Sequence, residues 1–175
     1  INGIITYVSD TASPAVSYVA KKLNLKGLPI KAVNTLVYKN LFRKFLKKNN
    51  FNYPEFKIFR SKEKINNFID KIGYPFFIKP IDSSGSKGVT KVVKKIFIKK
   101  AISEALNYSK KKKFIIERII ERKGYQIAGD GFVMNKKLVF RCWGDEHFNE
   151  KLNGLITIGP SLPSVHQEKK FKIVH

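Results

Sequence analysis

A chain of 175 residues can bury one sizeable core, as one domain or two small ones, and 43% apolar residues suffice for a globular fold. Its net charge of +22 points toward nucleic acid, yet that charge is made of 30 Lys against 5 Arg, alongside 21 Ile and 13 Asn. The three enriched types share A/T-rich codons, so a codon bias is expected to account for them, and the better bidentate ligand for phosphates and bases, Arg, is the scarce cation. Apolar runs such as Phe114-Ile115-Ile116 fall far short of the ~20 residues that span a membrane. No signal peptide is read at the start, and the single Cys142 excludes an internal disulfide framework and Cys-based zinc. A reducing, cytoplasmic setting is expected. Met134 is the only methionine, the chain opens on a strand-like segment, and it closes within the run Lys172-Ile173-Val174-His175. An internal piece of a longer protein is therefore expected.

In chain order, Gly3–Val8 reads as a buried strand leading through Ser9-Asp10-Thr11 into a helix over Ala12–Leu25, with Asp10 or Thr11 as N-cap and Gly27 ending the unit. Ala32–Lys48 reads as one helix. Leu36, Val37, Leu41, Phe42, Phe45 and Leu46 form its apolar stripe, and Lys39, Arg43, Lys44, Lys47 and Lys48 lie elsewhere on its surface. A turn at Asn49–Pro54 leads to a strand (Glu55–Arg60) and a helix capped by Ser61 and running to Ile72. A subdomain boundary is placed at Gly73-Tyr74-Pro75. Then follow a strand (Phe76–Lys79), a polar glycine loop (Pro80–Gly88), a strand (Val89–Lys94), a helix (Lys99–Tyr108), a strand (Phe114–Glu117), and two longer strands, Tyr125–Met134 and Lys137–Trp143, joined at Asn135-Lys136. The four lysines Lys110–Lys113 read as a solvated turn. From His147 onward the chain is expected to be irregular.

The chemistry concentrates in Tyr74-Pro75-Phe76-Phe77-Ile78-Lys79-Pro80-Ile81-Asp82-Ser83-Ser84-Gly85-Ser86-Lys87-Gly88-Val89. A buried strand delivers one lysine to its end, proline stops the ladder, and Gly85 and Gly88 permit backbone angles that gather N–H groups into a concavity for phosphate oxygens. The loop fits neither the Walker pattern nor the dinucleotide fingerprint. Read by itself, it is either such a cradle or a mobile connection beside a solvated lysine. Cys142 and Trp143 read as core, and Asp145-Glu146 as a strand end in solvent. His147, His166 and His175 lack ligand-like spacing.

Strand, Lys, Pro and a Ser/Gly loop containing Gly-Ser-Lys-Gly-Val resemble the phosphate loop of ATP-grasp ligases, most nearly the carbamoyl phosphate synthetase large chain, biotin carboxylase and related carboxylate–amine ligases. Three further segments agree in order. Val37-Tyr38-Lys39-Asn40-Leu41-Phe42-Arg43 resembles the helix that sets a basic residue, here Lys39, on the ATP phosphates. Phe114-Ile115-Ile116-Glu117-Arg118-Ile119-Ile120 resembles the hinge strand that reads adenine, and Gln126–Val133 resembles a strand whose first residue binds ribose. By this resemblance Lys39 and Lys79 hold phosphates, and Ser83, Ser84, Gly85, Ser86, Lys87 and Gly88 close over them. Glu117 and the main chain of Arg118 and Ile119 read the adenine amino group, while Val89 and Ile120 face its ring. Gln126 departs from the usual Glu at the ribose position. A plain salt bridge from Glu117 to Lys79 or Arg118 is the competing reading.

The resemblance implies an α/β (α+β ATP-grasp) fold in three parts. Residues 1–72 would be the end of a Rossmann-like preceding domain with connecting helices, 73–120 the small ATP-grasp subdomain, and 121–175 the start of the large one. It implies a ligase that uses ATP and Mg²⁺ to join a small carboxylate to an amine through an acyl phosphate, with no membrane partner and room for a homodimeric parent. The family's Glu-x-Asn metal pair occurs nowhere here, so the metal ligands are expected past His175, no catalytic residue is assigned within these residues, and they are expected to be inactive alone. Two alternatives stay open: a basic nucleic-acid module built on Gly85-Ser86-Lys87-Gly88 as a KH loop, and a degenerate ATP-grasp scaffold.

Overall fold

The computed structural model describes residues 1–6, 9–60, 64–149, 154–166 and 171. The fold is mixed α/β with antiparallel sheets, and the chain divides into two compact units, Ile1–Ile120 and Glu121–His175.

The first unit holds helices α1 (Ser13–Lys22), α2 (Ile30–Val37), α3 (Lys39–Lys48), α4 (Ile65–Ile72) and α5 (Ile98–Tyr108). Its strands are β1 (Phe56–Phe59), β2 (Phe76–Pro80), β3 (Thr90–Val92) and β4 (Phe114–Arg118). The strands form one sheet in the order β1-β4-β2-β3, antiparallel throughout. Period-2 alternation divides its residues between two faces. Phe59, Phe76, Ile78, Phe114 and Ile116 form a core with Phe68, Ile69 and Ile72 of α4 and Ala101, Ile102 and Ala105 of α5. That core draws on β1 and α4, before Gly73, as well as on the strands after it. Phe77, Lys79, Ile115 and Glu117 alternate with these core residues and lie on the opposite face.

Three expectations for this unit change. Residues 3–6 form no strand, and Tyr7 and Val8 lie outside the described residues. A strand needs a ladder partner, among the described residues the four-stranded sheet pairs its strands only with one another, and Ile1 and Ile5 are exposed. The helix N-cap is Ala12, not Asp10 or Thr11. Ser9 does the capping, with its Oγ accepting from Ala12 N at 3.3 Å and its carbonyl from Ser13 N at 3.1 Å. The single helix over Ala32–Lys48 is two helices broken at Tyr38, whose backbone is extended (φ −88°, ψ 113°). The Lys39 amide leaves the helical ladder there and donates to Ile81 O at 2.9 Å, so a tertiary bond replaces the local one. Ser61, the expected cap of α4, lies outside the described residues.

In the second unit, β5 (Gln126–Met134), β6 (Lys137–Phe148) and β7 (Thr157–Ser161) form an antiparallel sheet in chain order. Asn135 and Lys136 both take positive φ, as a two-residue hairpin turn requires. Gly129 faces Trp143 across the ladder, and a Cβ there would lie 2.3 Å from the indole. Trp143 also stacks on Phe171 at 5.1 Å. The expected irregular region contains β7, which pairs with the extension of β6 through Phe148. Asp145 is fully buried rather than solvated, accepting from Ser164 Oγ at 2.5 Å and Val165 N at 2.7 Å. Those bonds hold its carboxyl below the ordinary value.

Replacing Ile102, which is wholly buried in the first core, by Ala should cost about 2–5 kcal/mol. Ile120→Ala, at a site 67% exposed, should stay within about 0.5 kcal/mol. Urea unfolding of the two variants measures the difference.

Candidate functional site

The sheet face opposite the core is where the charges meet. Phe77 stands directly across from Glu117 in the β2–β4 register, and Lys79 follows two residues on, on the same face. The ammonium of Lys79 donates to Glu117 Oε1 and lies 4.5 Å from the Phe77 ring. From α3, Arg43 approaches the same carboxylate with two prongs, Nε to Oε2 at 3.0 Å and Nη2 to Oε1 at 3.4 Å. Glu117 keeps only 3% of its side-chain surface. Burial is the largest single influence on its carboxyl and works against the charge. Lys79 and Arg43 together outweigh it and hold the group below the usual glutamate value.

One helical turn before Arg43, the Lys39 ammonium donates to the Ser83 carbonyl at the base of the loop. Burial lowers its pKa and the Lys79 charge lowers it further, against the opposing pull of Glu117, Asp82 and Asp10. The loop stem has a second anchor, Asp82 Oδ2, which accepts from Lys111 N at 2.9 Å. The Lys111 ammonium sits 3.8 Å from the Tyr38 ring. A cavity of about 110 Å³ opens here, with Asp10, Tyr38, Asp82, Ser84 and Lys111 in its wall.

The loop itself turns by positive φ at Gly85 (61°), Ser86 (57°) and Gly88 (72°). It is tied by Ser83 Oγ to Lys87 O at 2.8 Å and Val89 N to Ser86 O at 3.2 Å. Gly88 is needed for space as well as angle, since a Cβ would meet Tyr108 at 2.9 Å. Gly85, Ser86 and Lys87 are exposed at the tip, with Ser83, Ser84 and Val89 partly covered. The loop joins β2 to β3, whereas a KH loop joins two helices.

The structure thus brings Lys39, Lys79, Ser83 and Glu117 together. Arg118 turns away to Glu55 (3.5 Å), so Glu117 is paired with Lys79 and with Arg43, not with Arg118. Ile119 and Ile120 follow β4 outside any strand, and Gln126 opens β5 in the second unit, opposite Glu146. Sequence reasoning left out Arg43, Asp82 and Lys111. Arg43 is not a surface residue of its helix, having a side chain only 19% exposed. Its spacing of four from Lys39 was the available signal.

The family model of the D-ala D-ala ligase C-terminus matches residues 45–138. A D-alanine–D-alanine ligase B from Clostridium perfringens is 39% identical over 91 residues, 51% of this chain and 29% of that protein. The chain therefore matches under a third of that relative's length. Among solved structures, VanG D-Ala:D-Ser ligase from Enterococcus faecalis superposes with TM-score 0.75 at 18% identity, covering 93% of this chain and 49% of that one. A D-alanyl-alanine synthetase A from Vibrio cholerae gives 0.71 at 15% identity, with 99% and 53% covered.

Because the folded pKa of Glu117 is depressed, its contribution to stability is present above the unfolded value of about 4.3. It should be lost as pH falls through the lower folded value. Unfolding titrations between pH 7 and 2 should show this loss, and Glu117→Gln should remove that part of the pH dependence. Gly88→Ala should destabilise by at least about 1–3 kcal/mol, from the left-handed backbone alone. A thermal melt reads it.

Proposed function

This chain belongs to the D-ala D-ala ligase C-terminus family of ATP-grasp ligases, and we propose that it carries the nucleotide-binding portion of an ATP-dependent carboxylate–amine ligase. In this reading both substrates are small amino acids, with D-alanine first among them, following the curated relative rather than carbamoyl phosphate synthetase. The observation that carries the reading is the convergence of Lys39, Lys79 and Glu117, with Lys39 also bonded to Ser83 where the Ser83–Gly88 loop begins.

The residues suit a nucleotide. Lys39 is a partly buried ammonium whose positive form burial disfavours, and a phosphate beside it would restore that charge. The left-handed turns at Gly85, Ser86 and Gly88 bend the loop into a form that can cup an anion. When bound, ATP with Mg²⁺ supplies the phosphoryl group that activates the carboxylate for attack by the amine. The protein's part is positioning and charge. Lys39 and Lys79 bind the phosphates, and Ser83, Ser84, Gly85, Ser86, Lys87 and Gly88 cover them and exclude water. Val89 and Ile120 line the ring, and Glu117 with the main chain of Arg118 and Ile119 reads the adenine amino group. Gln126 takes the ribose.

Residues 1–72, 73–120 and 121–175 serve in this reading as the end of a preceding domain with connecting elements, the small subdomain and the start of the large one, with β1 and α4 of the first part completing the sheet and core of the second. Without a Glu-x-Asn pair in the sequence, these residues alone hold nucleotide but do not turn it over. The setting is cytoplasmic. No helix among the described residues is long and apolar enough to cross a membrane.

Lys79→Met in the full-length protein should weaken ATP binding by about 1.5–3 kcal/mol, the range for a charge-assisted hydrogen bond. Calorimetric titration with ATP and Mg²⁺ tests it. Unchanged affinity would refute the site.

A further inference from the structure

Arg43 has no task in the reading above, yet it makes more hydrogen bonds to Glu117 than Lys79 does. Its fork reaches both carboxylate oxygens, whereas Lys79 reaches only Oε1. Arginine suits this place because its guanidinium never loses its proton and presents paired donors in one plane. Lys39 and Arg43 project from the same side of α3 one turn apart, one toward the loop carbonyl of Ser83 and the other toward Glu117.

Lys79 faces a conflict. An ammonium that binds nucleotide phosphates must give up some or all of its hold on Glu117, and a carboxylate with 3% of its surface exposed is costly to leave unpaired. With one cation in reach, phosphate and carboxylate would compete for it. With Arg43 already holding both oxygens, Lys79 can leave and Glu117 stays neutralised.

We propose that Arg43 is a positioning residue that keeps Glu117 paired while Lys79 is handed from that carboxylate to the nucleotide's phosphates. The proposal rests on the ATP-site reading and names the side chain that makes Lys79 available within it. Arg43 acts through Glu117 and Lys79 and needs no contact with the nucleotide.

The test is a double-mutant cycle in the full-length protein. Arg43→Gln, Lys79→Met and the double variant are titrated calorimetrically with the non-hydrolysable analogue AMP-PNP plus Mg²⁺, and with adenosine as a phosphate-free probe. Arg43→Gln should weaken AMP-PNP by about tenfold or more and adenosine by less than about threefold, because Lys79 stays locked on Glu117. Lys79→Met should then add little in the Arg43→Gln background, since that lysine is already idle. Arg43→Lys, which keeps the charge, should recover most of the affinity. If Arg43→Gln loses its cooperative melt, Arg43→Lys carries the same cycle, with a smaller, sub-additive loss. Penalties that multiply independently, or equal weakening of both probes, would overturn the role of Arg43 and leave the ATP site standing. Wild-type affinity of Lys79→Met for AMP-PNP would instead bring down the site reading itself.

Discussion

A carboxylate sealed from solvent inside a sheet has to be met by fixed cations, and Glu117 draws them from two directions. Lys79 comes along the neighbouring strand, and Arg43 comes down from a helix. The strand geometry makes this meeting unavoidable. With Phe77 opposite Glu117, residue 79 must emerge on the same face, while the residues between them bury Phe76, Ile78 and Ile116 against α4 and α5. One alternating pattern therefore fixes both the core and the charge cluster. A one-residue slip of β2 would place an ammonium in the apolar layer, so register and site are specified together.

The same cluster explains why α2 and α3 are separate helices. Had the helix run unbroken through Tyr38, the Lys39 amide would bond within it. Instead it bonds Ile81 O, and the Lys39 ammonium bonds Ser83 O. Main chain and side chain of one residue thus grip the start of the loop, and the kink sets the direction from which Arg43 approaches.

Much of this was legible in the residues. The strand–Lys–Pro–loop–strand unit, the helix after it and the Phe114–Glu117 strand carry their own signals: alternation, a ladder-stopping proline, and glycines where φ must turn positive. These signals are local. What they miss depends on distant partners. The Gly3–Val8 segment has strand-forming composition but, over its described residues, no ladder to join. The break at Tyr38 is set by a carbonyl far along the chain, at Ile81, which accepts from the Lys39 amide. The amphipathic count put Arg43 on the helix surface because no periodicity reveals a buried anion above it. Asp145 looked like a solvated strand end because its donors, Ser164 and Val165, come from a segment with no regular pattern. Order of motifs gave the site's outline, and long-range hydrogen bonds supplied its contents.

The loop is held at both ends. Its first residues are tied to α3 through Lys39 and to the α5–β4 turn through Asp82 and Lys111, while Gly85, Ser86 and Lys87 stand in solvent. With its stem held and its tip exposed, its amide exchange should slow stepwise from the tip toward Ile81. At the far end Gly88 is buried so close to Tyr108 that a Cβ there would lie 2.9 Å from its ring, so what freedom the segment has falls to Gly85, Ser86 and Lys87.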